Sequence, residues 1–209
     1  MKTIISTKGI ASFISILLHP LILPTPVIYF IFKMMSLRAM PTPEYIEYAV
    51  YSVVFAGTFL LPVISIFTLY KLGIIRDVEI SEREDRKLPY LITAVSFCVA
   101  YYLIQKLYLP KAIYITVLAA CMAVLITLII NLFWKISAHM ISMGGVTGAF
   151  IGISFRYALD GTWYIIVAII LSGLLGFSRL INNDHTPLQV YLGFLIGLLI
   201  QLFLLFFIK

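Results

Sequence analysis

The chain has 209 residues, of which 62% are hydrophobic and 11% are charged, whereas ordinary soluble domains have about 45–50% and about 25%. A soluble protein of this length could not bury so much apolar surface, but a bilayer accommodates it in helices of about 20 mostly apolar residues. No stretch has the two-residue alternation of a membrane barrel, so we predict an all-α, polytopic helical membrane protein. The net charge of +6 comes from scattered basic residues, which argues against nucleic acid as a partner.

The first apolar stretch, residues 9–35, is interrupted by His19-Pro20 and by the prolines at 24 and 26. Proline disrupts a helix interior, so this stretch predicts either a kinked span or a short interfacial helix that leads into a span. No small-residue cleavage site follows it, and we interpret it as part of the mature protein rather than a signal peptide. His19 is isolated in this apolar stretch, and we expect it to have a structural role.

Six further apolar stretches are interpreted as spans. They cover residues 48–72, 90–104, 112–133, 136–155, 162–177 and 186–207. We therefore predict a single integral membrane domain, residues 1–209, with an N-terminal proline-rich segment at 9–47 and a six-helix core at 48–209. The fourth of these spans carries Gly144, Gly148 and Gly152 at four-residue spacing, which lets a neighbouring helix approach closely.

Polar residues concentrate in three intervals between the predicted spans. Residues 76–89 hold five of the nine acidic and four of the fifteen basic side chains. Two membrane crossings separate this interval from residues 134–139, and two more lead to residues 178–185. All three intervals are therefore predicted to lie at the same membrane face, however the first segment is counted.

The second and third intervals contain two of the three histidines, His139 and His185, and basic residues occur in all three intervals. One imidazole can attack phosphorus while the other protonates the leaving oxygen, and nearby cations can stabilise charge on the phosphate oxygens. This combination indicates phosphoryl transfer to water at the membrane surface.

The spacing of these residues allows a comparison with a known family. The third interval reads SR, five residues, then H at His185, and the second reads ISAH, ending at His139. With the basic segment that ends at Pro89, they resemble the signature of the type-2 phosphatidate phosphatase superfamily: K-x6-RP, PSGH and SR-x5-H-x3-D. The resemblance extends over residues 76–197 in order, spacing and sidedness.

The resemblance implies a role for each matching residue. His185 would be the nucleophile that forms a phosphohistidine, His139 the general acid, and Arg179 a clamp on phosphate oxygens. Further phosphate contacts would come from Arg83, Arg86, Lys87, Lys135 and Ser137, with Ser178 and Gln189 in supporting positions. The family works without a metal, so the resemblance implies no metal and no other cofactor.

The chain departs from the family pattern at each motif. Gln189 stands where the family has aspartate, Ile136 and Ala138 replace proline and glycine, and the first motif has no lysine in register. A glutamine carbonyl can fix an imidazole tautomer but cannot stabilise an imidazolium as a charge would. These departures leave open an inactive relative that binds lipid headgroups or serves in a membrane complex. A small transporter is disfavoured because no charged residue lies deep in a span.

The expected substrate is a lipid phosphate or a polyprenyl diphosphate whose chain stays in the bilayer. Phosphatidate, phosphatidylglycerol phosphate, lipid A and undecaprenyl diphosphate all fit, and the sequence leaves the oligomeric state open. If the first segment spans fully, nine basic residues lie on the site side and six on the other, but removing five candidate site residues reverses this bias. Bacterial members of the resembled family usually face outward, so we expect a bacterial plasma-membrane protein with an extracytoplasmic site.

Overall fold

The computed structural model describes residues 7–36, 41–78, 80 and 84–208. These residues contain helices and no strands, and six of the helical segments are long and apolar enough to cross a membrane. The predicted fold class, an all-α polytopic helical membrane protein, is confirmed. Arg83, one of the predicted phosphate contacts, lies outside the described residues.

The helices follow one another with short connections. They are α1 (Thr7–Leu17), α2 (Pro24–Ser36), α3 (Glu44–Phe55), α4 (Leu61–Lys71), α5 (Lys87–Ile104), α6 (Lys111–Phe133), α7 (Ala138–Tyr157), α8 (Thr162–Ile181) and α9 (Pro187–Phe207). A π-helical turn, Ala56–Leu60, joins α3 and α4 into one rod, and a 3-10 turn, Glu84–Arg86, leads into α5.

Helices α3, α5 and α8 extend beyond the predicted spans, and charged residues lie in the added turns. Helix α3 begins at Glu44 rather than at residue 48, with Glu44 and Glu47 in its first turn. Helix α8 continues to Ile181 rather than ending at residue 177, with Arg179 in its last turn. Acidic residues near a helix N-terminus and basic residues near a C-terminus are favoured by the helix dipole. Arg179 is therefore fixed on a helix end and not in a loop.

The N-terminal segment forms two short helices, α1 and α2, that lie along α8. Helix α1 packs against α8, and Asn182, just past the end of α8, donates to the Ser12 hydroxyl at 3.4 Å. At the other end of the bundle, the Met34 side chain of α2 lies against Gly161, just before α8 begins. Helix α1 therefore lies beside the C-terminal end of α8, and the end of α2 lies beside the N-terminal end of α8. The break between α1 and α2 is near His19.

The most extensive helix contact in the described part of the chain is between α7 and α9, which run parallel. A Cβ atom on Gly144 would collide with the Phe194 carbonyl oxygen and lie 2.9 Å from the Leu198 amide nitrogen. On α9, a Cβ on Gly193 would lie 3.0 Å from the Ser137 carbonyl oxygen. The predicted close approach at the glycine face is confirmed. It places the N-termini of both helices at the same end of the bundle.

We expect Gly144→Ala to destabilise the protein by about 1–3 kcal/mol, the usual cost of overpacking, because the new methyl group meets backbone atoms that cannot rotate away. Gly173→Ala is the matched control, since a Cβ at that position of α8 meets nothing within 4 Å. The measurement is the temperature at which the detergent-solubilised protein loses its monodisperse chromatographic peak. Equal midpoints for the two variants would contradict the packing described here.

Candidate functional site

A cavity of about 230 Å³ lies between the break of the N-terminal segment and helices α5, α6, α7 and α9. One end of its lining is polar and lies where α7 begins and α8 ends. The polar lining residues at that end are His19, Arg86, Tyr90, His139, Arg179 and His185. The rest of the wall is largely apolar and includes Leu21, Phe97, Ala120, Val124 and Val146. The cavity therefore has a polar end and a largely apolar remainder, which matches a ligand with a polar headgroup and an apolar chain.

Residues from all three polar intervals meet in this cavity. Arg86 comes from the first interval, His139 from the second, and Arg179 and His185 from the third. The positive charges of Arg179, Lys135 and Arg86 all act on His185. The prediction that the three intervals share one face of the bundle is confirmed.

His185 is held by the same contact that begins helix α9. Thr186 is the N-cap residue, and its side chain and Gln189 form a reciprocal capping box. The Gln189 Oε1 atom accepts from the Thr186 backbone N–H at 3.1 Å and lies 3.0 Å from His185 Nδ1. Because a backbone N–H can only donate, the Thr186 contact identifies this atom as the amide oxygen. His185 Nδ1 must then carry the proton, and Nε2 holds the lone pair.

The surroundings keep His185 neutral. The pKa of His185 is lowered from the ordinary 6.5 to about 4, mainly by burial. The hydrogen bond to Gln189 acts in the opposite direction, and the positive charges of Arg179, Lys135 and Arg86 contribute to the lowering. At neutral pH the side chain is therefore an imidazole with an available lone pair, as a nucleophile requires. Gln189 orients the ring as the aspartate of the resembled family would, without adding a charge.

His139 lies in the first turn of α7 and reaches across to the N-terminal segment. Its Nε2 atom is 3.2 Å from the Ser15 carbonyl oxygen of α1. A carbonyl only accepts, so Nε2 carries a proton in this contact and Nδ1 is the nitrogen left for chemistry. The contact with Ser15 spans 124 positions of the chain, and no spacing rule in the sequence indicated it.

Two arginines give the polar end of the cavity its positive charge. Arg179 Nη2 lies 2.9 Å from Asp184 Oδ2, so Asp184 pairs with this arginine rather than with the neighbouring His185. Arg86 is only 8% exposed, and its Nε donates to the Ile80 carbonyl at 2.9 Å. Both guanidinium groups are thus aimed by specific contacts, and such planar donor groups match the oxygens of a phosphate.

The remaining predicted site residues lie around this group. Ser178 is buried and bonds to α1, donating to the Ala11 carbonyl and lying 3.0 Å from the Ser15 hydroxyl. Lys87 is exposed at the start of α5, and Lys135, although it acts on His185, is not part of the described cavity lining. The same holds for Ser137, whose buried Oγ has no hydrogen-bond partner among the described residues. Their phosphate contacts stay predictions.

Two residues of the polar end were missed from the sequence. His19 lies with its ring centre 5.2 Å from that of His139, edge to face, although the sequence predicted only a structural role for it. Tyr90 hydrogen-bonds to the Arg86 side chain and follows it by one helical turn. The four-residue spacing after Arg86 could have indicated Tyr90, whereas nothing local indicates His19. Within the described ranges, no three His, Cys, Asp or Glu side chains are grouped to hold a metal ion.

We predict that His185 titrates near pH 4 in nuclear magnetic resonance spectra of the histidine-labelled protein, whose three histidines give resolvable signals. The folded pKa lies below the ordinary value of 6.5, so as the pH falls the unfolded chain binds this proton before the folded protein does. His185 therefore makes the free energy of unfolding rise with pH between about 4 and 6.5. Gln189→Glu keeps the capping oxygen and adds a negative charge, so the titration should move up by about 1–3 pH units. A wild-type titration near 6.5 would contradict the burial described here.

No protein-family model, curated protein or solved structure matches this chain.

Proposed function

We propose that the protein is a membrane phosphatase that hydrolyses a lipid phosphate or a polyprenyl diphosphate through a phosphohistidine intermediate. The observation that carries the proposal is the fixed tautomer of His185. Its Nδ1–H is held by Gln189, which leaves the Nε2 lone pair on a ring that lines the cavity together with Arg86 and Arg179. A neutral imidazole beside two cations suits attack on an anionic phosphorus centre.

The form of the cavity supports a lipid-tailed substrate. Its polar end lies at the helix ends, while Phe97, Ala120 and Val124 line it further along their helices. A phosphate at the polar end would leave an attached acyl or prenyl chain against these apolar side chains. Removing that chain from water is favourable by about 25 cal/mol per Å² of apolar surface. The same apolar wall would disfavour the binding of a water-soluble phosphate ester.

The proposed reaction has two steps. Nδ1 of His139 takes up a proton from water when the anionic phosphate binds. His185 Nε2 then donates its lone pair to phosphorus, the bond from phosphorus to the leaving oxygen breaks, and that oxygen takes the proton from His139 Nδ1. Water then attacks the phosphohistidine, the phosphorus–nitrogen bond breaks, and Nδ1 of His139 takes the proton released by the water. Inorganic phosphate leaves, His139 releases this proton to water, and both imidazoles return to their neutral starting state.

The charges around the cavity support this reaction electrostatically. Arg86 and Arg179 would compensate the negative charge on the transferring phosphoryl group. The N-termini of α7 and α9 lie at the same end of the bundle as the cavity's polar lining, and their dipoles add partial positive charge there. Gln189 orients His185 but adds no charge to stabilise the imidazolium, which favours, as the second candidate, an inactive relative that binds phosphate headgroups.

We predict that the purified protein in detergent releases inorganic phosphate from at least one member of a panel of lipid phosphates and polyprenyl diphosphates, in the presence of EDTA. His185→Ala removes the nucleophile and should reduce kcat by about a thousandfold or more. Asp160→Asn is the control, since Asp160 lies in the turn before α8, at the other end of the bundle. Chromatography of each variant verifies that it is folded.

The outcomes separate the two candidates. Turnover by wild type and by Asp160→Asn, with loss in His185→Ala and a base-stable, acid-labile phosphoprotein, supports the phosphatase. Full activity of His185→Ala would rule out the phosphohistidine. Absence of turnover, combined with saturable lipid phosphate binding that survives His185→Ala and weakens in Arg179→Ala, would assign the protein to headgroup binding.

We also propose that the site faces the extracytoplasmic side of a bacterial plasma membrane. A single cysteine at Asn183, beside the site, should then react with a membrane-impermeant maleimide in intact cells, while one at Asp160 should react only after lysis. Both positions are exposed in the connections between helices, and the background carries Cys98→Ser and Cys121→Ala, which remove the chain's own thiols. The reverse labelling pattern would place the site in the cytoplasm.

A further inference from the structure

We infer that His19, at the break between α1 and α2, is a third imidazole of the site and donates its Nε2–H to a phosphate oxygen of the ligand. This inference rests on the proposed function and deepens it. It also adds the N-terminal segment to the site, beside the six-helix core on which the sequence motifs lie.

The position of His19 is the first ground for this inference. The residue lines the cavity together with His139, Arg179 and His185. Its ring meets the ring of His139 edge to face, with the centres 5.2 Å apart. Arg179 is close enough to act electrostatically on it. A phosphate held by Arg179 and attacked by His185 would therefore lie in the same part of the cavity as His19.

The tautomer of His19 is the second ground. The Leu21 backbone N–H donates to His19 Nδ1 at 3.3 Å. Because a backbone N–H can only donate, Nδ1 holds a lone pair here, and the single ring proton is on Nε2. The Nδ1 atom secures the turn after α1, and Nε2–H is the atom that can serve a ligand.

The three histidines differ in how their protons are used. His139 donates to the Ser15 carbonyl, and His185 donates to Gln189. For the N–H of His19, no protein acceptor is found among residues 7–36, 41–78, 80 and 84–208. An N–H donor that borders a largely apolar cavity gains a hydrogen bond only from a ligand or water, and a charged phosphate oxygen is a strong acceptor.

A purely structural role for His19 would depend on Nδ1, which accepts from Leu21, whereas ligand binding would depend on Nε2. Substitutions that preserve only one of these nitrogens can therefore separate the two roles. In His19→Asn the amide oxygen can replace Nδ1 and keep the contact to Leu21, but no donor reaches the position of Nε2. In His19→Gln the longer side chain can place an N–H near the position of Nε2. The two variants therefore form a matched pair with opposite expectations under the two roles.

The experiment measures kcat and KM for phosphate release by wild type and both variants, using the lipid phosphate that wild type turns over best. We expect His19→Asn to lower kcat/KM about tenfold to a hundredfold, the loss typical of a hydrogen bond to a charged group, and His19→Gln to recover part of it. Wild-type kinetics in His19→Asn, with damage only in His19→Gln, would overturn the inference.

A binding measurement separates this inference from the phosphatase proposal. The probe is a non-hydrolysable alkylphosphonate, titrated into each protein in detergent. Weaker binding to His19→Asn than to wild type supports the inference even if no substrate is turned over. Equal binding overturns it while leaving the phosphatase intact, and no binding to wild type overturns both.

If either variant fails to fold, the wild-type protein alone decides the question. With ¹⁵N-labelled histidine, the phosphonate should shift the Nε2 resonance of His19. An Nε2 resonance that stays unchanged at saturating phosphonate would refute the contact.

Discussion

The parallel packing of α7 against α9 is the contact on which the rest of the site depends. Gly144 on α7 leaves no space for a side chain against the backbone of α9, so the axes approach closely and their relative height is fixed. His139 lies in the first turn of α7, and His185 lies two residues before Pro187, the first residue of α9. Because the N-termini of α7 and α9 are held at the same level along the bundle, the two histidines line the same cavity. The positive ends of both helix dipoles lie beside it.

Backbone groups, more than side-chain charges, decide what each histidine can do. The Leu21 amide makes His19 Nδ1 an acceptor, and the Ser15 carbonyl makes His139 Nε2 a donor. The Thr186 amide fixes the oxygen of Gln189, which then fixes the proton of His185. Backbone donors and acceptors cannot exchange roles, so these tautomers follow from the fold itself. A neutral glutamine can therefore orient the candidate nucleophile where the resembled family uses a carboxylate.

The broken N-terminal segment closes the cavity on a side that the six long spans leave open. Its break contributes His19 and Leu21 to the lining, while Ser15 supports His139 from α1. Irregular backbone inside a membrane is tolerated where it is buried in protein or borders a cavity. Here the Leu21 carbonyl, in the break, accepts from the Thr58 hydroxyl at 3.5 Å, and Ser178 secures α1 by donating to the Ala11 carbonyl.

The sequence by itself determined the membrane class, the six spans and the shared face of the three polar intervals. Hydropathy identifies each span from its own residues, and the even number of spans between two intervals places them on the same face. The family resemblance also named His139, Arg179 and His185 as candidates by order and spacing, and Arg86 as one of three candidate basic residues in the first interval. Only the tertiary structure decided that Gln189 fixes the His185 tautomer and that His19 joins the site. His19 depends on how a proline-rich break turns and where α1 packs on α8, and contacts such as Ser15 with Ser178, 163 positions apart, leave no periodic signal in the chain.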